Sequence, residues 1–180
     1  LFETNVGAGL PVIGTLNDLL RSGDTVNKIQ AVLSGTLNFV FNNYDATKSF
    51  ASVVKQAQGE GYTEPDPRLD LSGTDVMRKI MILAREAGNQ LEMSDIICNG
   101  FLPESCMEGN VAEFYEEMRK HEQHFRNLYD IAVSKNSKLK FVAKYENGKA
   151  ECGLQYISSE QDLYHPYGKY NVVLFYTYRY

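Results

Sequence analysis

Residues 57–79 read AQGEGYTEPDPRLDLSGTDVMRK, and this stretch decides how the rest of the chain is read. Five carboxylates, those of Glu60, Glu64, Asp66, Asp70 and Asp75, crowd into sixteen residues, and Lys79 follows Asp75 by four. Glycines at 59, 61 and 73 and prolines at 65 and 67 break any helix before Leu71. From Gly73 onward Val76, Ile80 and Leu83 fall on one helical stripe, flanked by Met77 and Ile82. The expectation is a rigid acidic loop feeding a buried helix whose first turns carry a carboxylate and an amine. A spacing of four places Asp75 and Lys79 on one side of that helix, within pairing distance. Such a pair is commonly a plain surface salt bridge, worth ~0.3 kcal/mol. The loop argues for more, because crowded like charges repel unless something cationic sits among them. A substrate ammonium, a metal ion and Lys79 itself all answer that description.

Composition sets the frame. A chain of 180 residues is one domain with a core large enough to stand alone. A net charge of −5 and the lack of a basic stripe argue against a nucleic-acid partner. No apolar run reaches the length of a membrane span, and no signal peptide opens the chain. Cys98, Cys106 and Cys152 are odd in number and show no CxxC spacing, which favours free thiols in a reducing, cytoplasmic compartment and excludes a zinc ribbon. The first residue is Leu rather than Met, and the chain ends abruptly on an apolar run, VVLFYTYRY. The expectation is a fragment, residues 1–180 of something longer, truncated at both ends.

Before the acidic loop, residues 1–11 read as a short apolar start and a glycine turn. Gly7 and Gly9 begin like a dinucleotide fingerprint, but Val12 stands where a third glycine belongs. Pro11 suits a first helical turn, with Ile13, Leu16, Leu19 and Leu20 as its apolar face and Gly23 as its end. Residues 26–33 suit a strand running into Ser34-Gly35-Thr36, after which a helix carries Leu37, Phe39, Val40, Phe41 and Tyr44. A turn of that composition at a strand-to-helix junction is either a plain helix cap or a seat for a carboxylate or other anion. Residues 50–58 read as a further helix.

Beyond Gly88 the pattern loosens. Residues 93–102 have no assignable pattern, and residues 110–134 read as one long helix. His121 and His124 lie on that helix within RKHEQHFR, where a solvated face outweighs a metal site. Residues 138–145 and 151–157 alternate around Asn147-Gly148, a strong hairpin signal, and residues 170–176 supply another strand. The order points to an α+β domain, a mixed or antiparallel sheet with helices packed on one face. Tyr156, Tyr164, Tyr167, Tyr170, Tyr176, Tyr178 and Tyr180 suggest an interface.

The central stretch resembles the signature of homoserine dehydrogenases. Ala57, Gly61, Tyr62, Thr63, Asp66-Pro67, Asp70, Gly73, Asp75 and Lys79 meet that pattern without departure. FETNVGAGLPVIGTLNDLLRSGD (residues 2–24) and LSGTLNFVF (residues 33–41) resemble the opening of the same family's catalytic domain. TNVGAGLPVI is most similar to the bifunctional aspartokinase–homoserine dehydrogenases. The resemblance implies NAD- or NADP-dependent interconversion of aspartate β-semialdehyde and L-homoserine, with the cofactor held mainly by a Rossmann domain outside this chain. It implies Lys79 as proton donor to the carbonyl oxygen and Asp75 as the group that orients Lys79 and contacts substrate. Glu64 would take the substrate's α-ammonium, with Asp70, Tyr62 and Thr36 lining the pocket and Gly61 and Gly35 against the cofactor. A monovalent cation, sodium or potassium, would sit among Glu3, Val6, Ala8 and Leu10. A homodimer, a kinase domain fused upstream and an isolated fragment without activity are further implications.

Two readings of other classes compete. A non-catalytic amino-acid-sensing or dimerisation module fits the tyrosines and the hairpin but has no need of Lys79. A metal-dependent hydrolase would use the carboxylates of residues 60–75, and the lack of a nearby histidine counts against it.

Overall fold

The computed structural model describes residues 2–165 and 170–179. Five strands, β1 (Val26–Val32), β2 (Ile96–Asn99), β3 (Ser137–Glu146), β4 (Lys149–Ser158) and β5 (Val172–Thr177), form one sheet in the order β2-β4-β3-β1-β5. Only β2 and β4 run parallel, so the sheet is mixed. Asn147 and Gly148 take φ of 52° and 76°, the left-handed pair that a two-residue hairpin turn requires between β3 and β4. Opposite charges face each other across the hairpin: Glu146 is the register partner of Lys149, and Lys144 that of Glu151.

Eight helices are described: α1 (Phe2–Gly7), α2 (Val12–Arg21), α3 (Gly35–Asn43), α4 (Phe50–Gly59), α5 (Arg68–Leu71), α6 (Thr74–Glu86), α7 (Val111–Lys120) and α8 (Glu122–Ser134). The stripe of α6 buries Val76, Ile80, Leu83 and Ala84 in the main core, which fills one face of the sheet. An aromatic stack ties the outer helices to that core: Phe50 lies flat on Phe125 at 4.1 Å, and Phe101 meets Phe41, Phe50 and Phe141 edge-on. The opposite face carries a small cluster of Val32, Val142, Ile157 and Leu163 under one short 3-10 turn. This is the α+β arrangement expected, with helices on one face.

Several expectations are corrected. Residues 2–7, read only as part of a short apolar start, form α1, and the glycine turn follows it with Ala8 at φ 54°. Residues 68–71 form a helical turn despite the prolines, because Pro67 immediately precedes it, where its fixed φ is helix-compatible and no N–H is needed. The long helix over 110–134 is two helices broken at His121, which leaves helical geometry at φ −95° and ψ 16°. Its ring nitrogen lies 3.0 Å from the Ser105 hydroxyl, and His124 lies 2.8 Å from the Phe101 carbonyl. Residues 96–99, within the unassigned region, supply the parallel edge strand.

All three cysteines are free, Cys106 and Cys152 buried and Cys98 half-buried. Tyr156 and Tyr164 are half-buried, while Tyr170, Tyr176 and Tyr178 are exposed. Tyr167 and Tyr180 lie outside the described residues. No helix among the described residues is long and apolar enough to cross a membrane.

Candidate active site

Two chain reversals build the site. β1 ends at Val32, and Ser34 caps α3 by accepting the Leu37 N–H at 3.1 Å. The acidic loop ends at Gly73, whose φ of 77° lets the chain turn directly into α6. A β-carbon at Gly73 would lie 2.6 Å from the Phe141 ring, so only glycine fits this approach. The two reversals are brought side by side, and Lys79 joins them.

The Lys79 Nζ lies 2.7 Å from the Asp75 carboxylate and donates to the Leu33 carbonyl at 2.8 Å. Its side chain is only 16% exposed, whereas that of Asp75 is 57% exposed. The ammonium is thus fixed from two sides, with the carboxylate arm toward solvent. A second link runs through Thr36, which is buried: its hydroxyl donates to the Tyr62 carbonyl and lies 3.2 Å from the Asp70 carboxylate. The other Asp70 oxygen accepts the Glu64 N–H at 2.9 Å, and the Tyr62 ring rests 4.7 Å from Phe39. The Glu64 residue itself is exposed.

The structure therefore brings Lys79, Asp75, Thr36, Asp70, Tyr62, Glu64 and Gly35 to one neighbourhood. The carboxylates of the loop do not converge on a common centre. Glu60 accepts from Gln56 at 2.8 Å, Asp66 takes the Arg68 guanidinium at 2.7 Å, and Asp75 takes Lys79. Among the described residues no group of three His, Cys, Asp or Glu side chains is placed to hold a metal ion. Gly61 has φ 76° and no atom within 4 Å of where a β-carbon would stand. A hollow of about 520 Å³ is lined by Glu108, Glu113, Glu116 and Glu117 and by none of these residues.

Two participants escaped the sequence reading. The Leu33 partner of Lys79 is a main-chain oxygen, which no side-chain pattern reveals. Arg68 pairs with Asp66 and also donates to the carbonyls of Glu108 and Gly109 at 3.0 and 2.8 Å, clamping the loop to the turn before α7. That hydrogen bonding holds the Asp66 carboxyl below the usual carboxylate range. Its only sequence signal is an Arg two residues after an Asp, which is common.

At the glycine turn, the Glu3 carboxylate accepts the N–H groups of Ile13 and Gly14, both at 2.7 Å, and so caps α2. The Leu10 carbonyl accepts the Val12 N–H at 2.9 Å. Val6 is buried in α1, and Ala8 reverses the chain just after it.

Comparison with known proteins follows the same lines. The sequence pattern of the family described as homoserine dehydrogenase matches residues 11–180. A bifunctional aspartokinase/homoserine dehydrogenase of Haemophilus influenzae is 40% identical over 98% of this chain, which covers 22% of that protein. A homoserine dehydrogenase of Paracoccidioides brasiliensis is 35% identical over 99% of this chain and 51% of its own length. A solved Candida auris protein of unknown function superposes with a TM-score of 0.92 at 37% identity, over 99% of this chain and 52% of that one. A homoserine dehydrogenase structure from Thiobacillus denitrificans shares the fold, with a TM-score of 0.72 at 22% identity over 97% of this chain and 37% of that one. The chain spans between about a fifth and a half of the length of these relatives. It belongs to the homoserine dehydrogenase family.

Proposed function

We propose that this chain is the substrate-binding and catalytic part of an NAD- or NADP-dependent enzyme that interconverts aspartate β-semialdehyde and L-homoserine. The observation that carries the reading is the placement of Lys79, half-sheltered and held by Asp75 and the Leu33 carbonyl beside the Ser34-Gly35-Thr36 junction. Reducing an aldehyde builds negative charge on its oxygen, and a fixed ammonium stabilises that charge and then delivers the proton. Asp75 keeps the amine aimed and takes part in holding the substrate. Glu64, exposed at the loop's rim, binds the α-ammonium. Asp70, Tyr62 and Thr36 shape the floor, since Thr36 and Asp70 already lock the loop against α3.

When bound, the nicotinamide cofactor supplies or accepts the hydride. The open space at Gly61 suits the approach of a flat ring, and Gly35 at the start of α3 offers a backbone N–H. A nucleotide-binding domain belonging to the longer protein would hold the rest of the cofactor. At the end of α1, the carbonyls of Val6, Ala8 and Leu10 have the oxygen chemistry a sodium or potassium ion accepts. Glu3 supports that turn through its hold on α2. We place the second face of the sheet, thinly covered and flanked by exposed Tyr170 and Tyr176, at a homodimer contact. The three free thiols fit a reducing compartment.

The test joins this chain to nucleotide-binding segments and follows NADPH oxidation with aspartate β-semialdehyde. Activity that collapses in Lys79→Ala while cofactor binding persists supports the reading. Equal rates in wild type and variant would remove Lys79 from the chemistry.

A further inference from the structure

We propose that Cys98 and Cys152 form a redox-modifiable dithiol whose closure to a disulfide disturbs the start of α6. The two residues are register partners on the parallel strands β2 and β4. Neighbouring strands lie about 4.8 Å apart, inside the separation of about 4.4–6.8 Å that a disulfide spans. The Cys98 sulfur is also near enough to Cys152 to perturb its thiol. Cys106, the third thiol, is buried elsewhere, against Ser105 and Glu117.

The pair is asymmetric. Cys98 is half-buried and within reach of a small oxidant, whereas Cys152 is 1% exposed. Burial and the neighbouring Cys98 sulfur push the Cys152 thiol up, so it stays protonated and acts second. With hydrogen peroxide the Cys98 sulfur attacks one oxygen, the O–O bond breaks, and water leaves behind a sulfenic acid. The Cys152 sulfur then attacks the Cys98 sulfur, and the S–O bond breaks. The departing hydroxide takes the Cys152 proton and leaves as water. Two thiols and one peroxide become one disulfide and two waters.

The link to function is direct contact. The Cys98 thiol donates to the Ser72 carbonyl at 3.7 Å, and its sulfur would lie 3.3 Å from a β-carbon placed on Gly73. Disulfide formation removes that donor and draws the sulfur toward β4. Ser72 and Gly73 are the residues from which α6, with Asp75 and Lys79, sets out. The thiol pair thus sits beneath the hinge of the candidate catalytic helix.

The folded protein is treated with graded hydrogen peroxide, alkylated and peptide-mapped, with amide hydrogen exchange followed in parallel. The expected product has lost two hydrogens, yields one peptide linking Cys98 to Cys152, and reverts with dithiothreitol. The Thr74 and Met77 amides then exchange several-fold faster. Cys98→Ser, a half-buried and tolerated change, should abolish the linked peptide. Recovery of three alkylated thiols, or of a Cys98 sulfinic acid with no linked peptide, overturns the site. A disulfide that leaves exchange at Thr74 and Met77 unchanged overturns its connection to α6.

Discussion

The Lys79 ammonium donates to the Leu33 carbonyl at 2.8 Å, tying the first turns of α6 to the last residue before the α3 cap. A backbone oxygen cannot be removed by substitution, so Lys79 keeps one of its two holds in any Asp75 variant. Asp75→Asn therefore separates chemistry from stability. The pair is exposed on the carboxylate side, and its loss should cost less than about 1 kcal/mol in denaturant unfolding. Under the proposed function, turnover of the complete enzyme should fall at least roughly tenfold, because the amine is no longer charge-paired and aimed. Unchanged turnover would reduce the pair to a surface salt bridge.

Gly73 and Gly61 share nearly the same left-handed φ, 77° and 76°, but not the same surroundings. Gly73→Ala drives a methyl to 2.6 Å from the Phe141 ring, adding a clash to backbone strain. The expected loss is about 2–4 kcal/mol. Gly61→Ala meets nothing within 4 Å and should cost about 1 kcal/mol through strain alone. Under the proposed function it should also raise KM for the cofactor in the complete enzyme. Urea midpoints of the two variants check the first contrast. Similar losses at both sites would show that the Phe141 ring yields.

The sheet, its hairpin and α6 were legible because each has a local signal: alternation, an Asn-Gly turn, a stripe at helical spacing. The Asp75–Lys79 pair was legible for the same reason. The break at His121 was not, since Val111, Phe114, Met118 and Phe125 keep an apolar rhythm across it. Nor was β2 legible: four residues with only Ile96 buried carry too little pattern to outweigh their surroundings. The clamp made by Arg68 joins residues some forty positions apart through carbonyls, which have no residue signature.

Arg68→Met should cost about 1 kcal/mol at pH 7, because it removes the partner of a partly exposed Asp66 and leaves the exposed main-chain acceptors to water. The pH dependence has a definite sign. Asp66 titrates lower in the folded chain than in the unfolded one, so its contribution is present above about pH 4 and lost as pH falls through the folded value. The gap between wild type and variant should narrow in urea titrations near pH 3. A gap that holds constant from pH 7 to pH 3 would mean that the ion pair contributes nothing beyond packing.

Lys140 carries the sharpest pH prediction. It stands in the alternating run of β3 and is fully buried, with its ammonium 2.8 Å from both the Asn38 and Asn42 amide oxygens. Burial, aided by Lys138, lowers its pKa from 10.5 to about 8. Between those values the unfolded chain binds more protons, so stability should rise as pH climbs from about 8 toward 10. The buried thiols of Cys106 and Cys152 act oppositely. Their pKa values are raised, so the unfolded chain ionises first and stability falls above about pH 8.5. Comparing wild type with Lys140→Met cancels the thiols, which both proteins share. The difference in unfolding free energy should shift in favour of wild type by about 2 kcal/mol between pH 7.5 and pH 10. The methionine side chain leaves the two amide oxygens without that donor at every pH, which offsets the whole curve but does not tilt it. A difference that stays flat across this range would show that Lys140 keeps an ordinary lysine pKa despite its burial.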